Sequence, residues 1–290
     1  MKTRYLLPIL LLCCSATFAA EPPLRVLVTI KPLQLIALAI TGSGADVEVL
    51  LGAEVSPHDY QLKPSDRAKL ARADVVFWVG PGLETFLERA LTSSQLTGFV
   101  ESLQPHGGHD IDAHIWMDPQ SAIAIARQMS AVLARIRPEQ AGLWRSNAQK
   151  LEAGLTALDQ ELAAKFSAIK SRRGYLVSHD AFAGFERRYR LQHAATLSDG
   201  HELPPGPRRM LEVRTLIERG EVGCVLLEPQ YDRKLINAVV GNASMRRVQI
   251  DPLATDVAVV AKPVGAEVAV QAVEQFYRGM GQAMADCMSR

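Results

Sequence analysis

The 290-residue chain has no surplus of either charge: 32 lysines and arginines stand against 31 aspartates and glutamates, a formal +1. A near-neutral surface lacks the field that draws a protein onto nucleic acid, which excludes nucleic acid as the main partner. Beyond the first twenty residues no apolar run reaches the roughly 18 to 20 residues that span a bilayer, so no later membrane segment is expected. Two signatures of chemistry are also missing. There is no glycine-rich phosphate-binding loop, so any energy for transport has to come from another chain, and there is no His-Glu-x-x-His helix of a zinc hydrolase. Cysteine is scarce: of four, Cys13 and Cys14 fall within the first twenty residues, which leaves Cys224 and Cys287.

Those first twenty residues have the form of an export signal, with Lys2 and Arg4, the apolar run Leu6 to Cys14, and small residues around Thr17-Phe18-Ala19-Ala20. Cleavage after Ala19 places Thr17 and Ala19 at the small-residue positions, so residues 1–19 are expected to be removed and the mature chain to be exported. A lipid-modified cysteine needs a small residue before it, and Cys13 follows Leu12. Removing Lys2 and Arg4 takes the formal charge from +1 to −1. In an oxidising compartment Cys224 and Cys287 either pair, closing a loop of about 60 residues worth roughly 4 kcal/mol, or remain two buried thiols.

Composition, with 48% hydrophobic residues over this length, favours two domains. Short β-type runs alternate with helical ones. Leu24 to Ile30, Val47 to Leu51, Val75 to Val79 and Phe99 to Ser102 are expected strands, with helices over Leu33 to Thr41, Ser65 to Ala73 and Leu83 to Leu91. Asp118-Pro119 supplies an N-cap and first-turn proline for a helix to Arg137. From Pro138 to Lys170, Leu151, Leu155, Leu158, Leu162, Phe166 and Ile169 recur at helical spacing, which predicts one rigid helix about 50 Å long joining two lobes. A second alternating half has strands at Tyr175 to Val177, His193 to Leu197, Cys224 to Glu228 and Val248 to Ile250. Its helices are Pro207 to Arg219, Asp232 to Val240 and Val264 to Cys287, with a loop over Gly200 to Gly206. The expectation is an α/β protein of two (β/α)4 lobes: residues 20–137, a linking helix 138–170, and residues 171–290.

In open α/β sheets ligands bind outside the carboxyl ends of the strands. His58, His114, His179 and Asp251 all follow expected strands, two in each half. Taken singly, each is an ordinary loop hydrogen-bonding or capping residue. Taken together, three imidazoles and a carboxylate converging from two lobes are a donor set for zinc, a borderline ion that accepts tetrahedral nitrogen and oxygen ligands. Because bound histidines donate their second ring N–H, Glu228, with Asp59 or Asp180 behind it, is the candidate orienting group. Trp116 and Phe182 are candidate walls. A short run, His106-Gly107-Gly108-His109-Asp110-Ile111-Asp112, offers His106, His109, Asp110 and Asp112 as a second, weaker site, while His193 and His201 show no partner pattern.

Five ordered segments resemble the cluster A-I solute-binding proteins of metal ABC transporters, and most closely their ZnuA-type periplasmic zinc-binding branch. They are Ser56-Pro57-His58-Asp59-Tyr60, His114 to Pro119, Val177 to Phe182, Leu227-Glu228-Pro229-Gln230-Tyr231 and Ile250-Asp251-Pro252-Leu253. The resemblance spans Leu24 to Cys287. It implies His58, His114 and His179 as ligands, and Asp251 as a position that either ligates or yields to water. It also implies a Cys224–Cys287 disulfide and a monomer that hands one tightly held Zn2+ to a membrane permease with its ATPase, without catalysis. Manganese-binding relatives carry glutamate where this chain has His179. The alternatives are manganese or iron delivery, zinc carriage without a permease, or an exported zinc hydrolase with water at the fourth position. The long His-rich loop common in that branch is here the short run at 106–112.

Overall fold

The computed structural model describes residues 22–52, 55–92, 98–103, 112–170, 174–198, 205–241, 243–258 and 264–289. It contains two four-stranded parallel sheets. The first is built from β1 (Leu24–Val28), β2 (Ala45–Val49), β3 (Val75–Trp78) and β4 (Phe99–Ser102), in the order β2-β1-β3-β4. Its central strands are buried on both faces, as Val26, Val28, Val75 and Phe77 show, which is why they read as apolar runs rather than alternations. Helices α1 (Lys31–Thr41) and α2 (Pro64–Arg72) carry prolines, Pro32 and Pro64, in their first turns, where the missing N–H costs nothing.

The helix expected over Leu83 to Leu91 is mostly absent: a 3-10 turn (Thr85–Leu87) leads into the single-turn α3 (Glu88–Leu91). The cause is Glu84. Its buried carboxylate turns back to accept the Thr29 hydroxyl and the N–H groups of Val79 and Gly80, holding the chain in a turn. Burial pushes this carboxyl up to about 7, against the lowering effect of those hydrogen bonds.

Asp118 caps α4 (Pro119–Ile136) by accepting the Gln120 N–H. The linking helix is shorter than its pattern predicts. Arg137 leaves the helical region, Pro138–Gln140 form a 3-10 turn, and α5 runs from Ala141 to Ser167, 27 residues or about 40 Å. Its stripe of Trp144, Leu151, Leu155, Leu158, Leu162 and Phe166 is buried throughout.

The second sheet repeats the first: β5 (Gly174–Val177), β6 (Ala195–Thr196), β7 (Val222–Leu227) and β8 (Arg246–Gln249), in the order β6-β5-β7-β8. Sequence periodicity missed α6 (Ala183–Tyr189), a seven-residue helix too short to show a pattern. Helices α7 (Pro207–Glu218), α8 (Arg233–Val240) and α9 (Ala266–Met288) follow. α9 packs on α1 and α5 as well as on β7, so one apolar core is continuous across both halves. Cys224 of β7 and Cys287 of α9 form a disulfide with Cα atoms 5.5 Å apart.

Candidate metal centre

The segments that follow β2, β4 and β5 meet. His58 lies in the loop after β2, its N–H donating to Ser56 Oγ at 3.2 Å. His114 sits where the chain enters a 3-10 turn (Ile115–Met117) before α4. His179 ends β5. The three rings lie 5.2 to 5.9 Å apart between centroids, and each offers a nitrogen within 4.8 Å of the other two. His58 Nε2 and His114 Nε2 are 3.1 Å apart. Two nitrogens bound tetrahedrally to zinc at about 2.0–2.1 Å stand about 3.3 Å apart, so this pair is already near coordinating separation.

The other ring nitrogens explain which lone pairs face inward. Asp112 Oδ1 accepts both the backbone N–H of His114, at 2.9 Å, and its Nδ1, at 3.1 Å. A carboxylate only accepts, so Nδ1 carries the proton and Nε2 presents a bare lone pair. Burial alone would raise the Asp112 carboxyl, but the hydrogen bonds from His114 and the charge of Arg187 outweigh it and hold the group below the usual carboxylate range. At His179, Nδ1 lies 3.5 Å from Glu228 Oε1, both side chains being buried, and the ring stacks on Tyr231 at 6.0 Å. The cavity between the rings is about 20 Å³, lined also by Ser56, Trp116, Glu228 and Gln230. That is room for one water or one bare ion and excludes an organic solute.

The remaining sequence candidates fall elsewhere. Asp251 does not join the histidines. Oδ1 accepts Gln230 Nε2 at 3.1 Å and the Leu253 N–H at 3.0 Å, while Oδ2 accepts the N–H and hydroxyl of Thr255. Asp112 is turned toward His114. The other members of that site, His106, His109 and Asp110, lie outside the described residues, as does His201. Asp59 is exposed. Asp180 is exposed too, and lies within 4.8 Å of Glu186 and His193, the one other metal-sized group among the described residues. There the Glu186 carboxylate already accepts the Tyr175 hydroxyl and both the backbone N–H and Nδ1 of His193. That is an ion pair satisfied within the protein. Trp116 and Phe182 are buried, and the Trp116 indole N–H donates to the Pro252 carbonyl at 2.8 Å. Sequence reasoning gave no role to Gln230 or Thr255. The segment Leu227 to Tyr231 was itself the available signal, since its strand brings Glu228 and Gln230 to the cavity together.

Two parallel α/β lobes and a helix-linked cleft holding only an ion-sized cavity among imidazoles define a solute-binding protein of the metal-binding cluster. The family described as Zinc-uptake complex component A periplasmic, ZnuA, matches residues 26–261, and the chain belongs to it. It is 30% identical to the "High-affinity zinc uptake system protein ZnuA" of Paracoccus denitrificans, over 93% of each chain. It is 29% identical to the protein of the same description from Haemophilus ducreyi, over 91% of this chain and 93% of that one. Among solved structures, a zinc-bound deletion mutant of ZnuA superposes with a TM-score of 0.77 at 23% identity, covering 93% of this chain and 99% of that one. FpvC of Pseudomonas aeruginosa in complex with Mn2+ superposes with a TM-score of 0.74 at 18% identity, covering 91% and 99%. The fold is thus shared by proteins holding different divalent ions, and the choice of ion rests on the donor set.

Proposed function

We propose that the mature chain captures one Zn2+ in the periplasm through His58, His114 and His179 and hands it to a membrane permease driven by its own ATPase. The observation that carries this is the approach of His58 Nε2 and His114 Nε2 to 3.1 Å, with the His114 lone pair fixed inward by Asp112. Three neutral imidazoles with no carboxylate among them suit zinc better than the harder manganese, which prefers oxygen. No described helix is long and apolar enough to cross a membrane, in keeping with an exported chain once residues 1–19 are removed. Capture rather than catalysis fits a cavity that leaves no room for an organic substrate beside the ion.

Native mass spectrometry of the stripped mature protein, offered equimolar zinc and manganese, tests the reading. One zinc and no manganese is expected, lost in the His114→Ala variant. Manganese uptake, or zinc retained by that variant, would refute it. A second zinc would point to residues 106–110.

A further inference from the structure

Zinc in this set would have three nitrogens and need a fourth donor. The carboxylate nearest to hand in the sequence, Asp251, is saturated. An ionised carboxylate has about four lone-pair sites, and all four are taken: by Gln230 Nε2, the Leu253 N–H, the Thr255 N–H and the Thr255 hydroxyl. Ligating a metal would require breaking at least one of these inside a tight turn. Asp251 is also not among the residues lining the ion-sized cavity, whereas Gln230 is.

The orientation of the Gln230 amide follows from the same contact. Asp251 can only accept, so the Gln230 NH2 must face it and the amide oxygen must face away; that oxygen is buried. A side chain that lines a cavity of one ion, with its nitrogen tethered behind it, presents Oε1 forward. We infer that Gln230 supplies Oε1 as the fourth ligand and that Asp251 is the positioning residue that aims it. This rests on the three-histidine zinc reading above.

The consequence is selectivity. An amide oxygen carries no charge, so the completed ligand set, three imidazoles and one carbonyl, carries none either. Manganese and magnesium favour anionic oxygen donors and gain little from such a set, while zinc keeps its imidazoles. A neutral fourth ligand also leaves more readily than a carboxylate, which suits a carrier that must give up its cargo.

Zinc affinity by chelator competition and the visible spectrum of the cobalt-substituted mature protein should be measured for Gln230→Ala, Asp251→Asn and the double variant. Gln230→Ala is expected to weaken zinc about tenfold and to shift the cobalt bands. Asp251→Asn should do less, and the double variant should match Gln230→Ala, because Asp251 acts through Gln230. Affinity within twofold of the parent, or an unchanged cobalt spectrum, in Gln230→Ala overturns the inference. So does a larger loss in Asp251→Asn than in Gln230→Ala, which would make Asp251 the ligand. Melting in chelator checks folding, and Gln230→Leu, which keeps the bulk without the amide, gives the same reading should alanine loosen the turn. Zinc retained by His114→Ala would instead bring down the three-histidine reading beneath it.

Discussion

His114 can hold a cation only through the nitrogen that Asp112 does not use, which makes Asp112 as much a determinant of the site as the ring itself. Its Oδ1 holds both the backbone and the ring of His114, fixing the tautomer and the direction of Nε2 together. Replacing the charged acceptor with a neutral one weakens both, and removing such an outer partner typically costs 10–100-fold in metal affinity. Asp112→Asn is therefore expected to raise the zinc Kd at least tenfold by chelator competition, with melting in chelator little changed. A shift under twofold would mean that Asp112 merely shapes the loop. Glu228 stands in the same relation to His179 at a looser 3.5 Å, so its removal should matter less.

At the scale of elements, His193 links α6 to the start of β6 through Glu186, which also takes the Tyr175 hydroxyl from β5. The Glu186 hydrogen bond raises the His193 imidazole above its ordinary value, burial opposing in part. The ordinary, unfolded value is about 6.5. Since the folded value is the higher one, this pair adds stability that is complete below about 6.5 and disappears as pH rises through the folded value. Melting in chelator from pH 6 to pH 9 should show a larger loss in the parent than in His193→Gln, which keeps the loss that ionising buried Glu84 brings as pH rises to about 7; parallel curves would remove the pair from the pH response. The element pattern was legible where strands are buried on both faces and helices exceed two turns, because packing then imposes an unmistakable period. It failed at α3 and α6, where side chains decide: the Glu84 carboxylate folds its segment into a turn, and α6 is only seven residues long. The three histidines were legible for the same topological reason as the sheets, each following a strand. Asp112, Gln230 and Thr255 were not, because their roles depend on which way a side chain points, and spacing carries no record of that.

Across the whole molecule, the three histidines bring together segments from both halves, which α5 and the continuous core also connect. His58 and His114 come from the first half and His179 from the second. Cross-contacts already bind the halves without an ion: the Trp116 indole to the Pro252 carbonyl, Lys31 Nζ to the Thr255 carbonyl at 3.2 Å, and the Tyr277 hydroxyl to the Trp116 carbonyl. Because α9 also packs on both halves, closure about the ion should need little rigid-body motion, and capture should appear mainly as added stability. Ligand at a thousand times its Kd adds about 4 kcal/mol to the folded state. For a chain of this size that corresponds to roughly 8–16 °C in Tm. The imidazoles must be neutral to coordinate, so protons compete with the ion and the increment should shrink in acid. Calorimetry with and without saturating zinc is therefore expected to give a rise near ten degrees at pH 7.5 and a much smaller one at pH 5. An increment unchanged between the two would be incompatible with binding by three histidines. A zinc-independent Tm at pH 7.5 would mean that the ion does not bridge the halves.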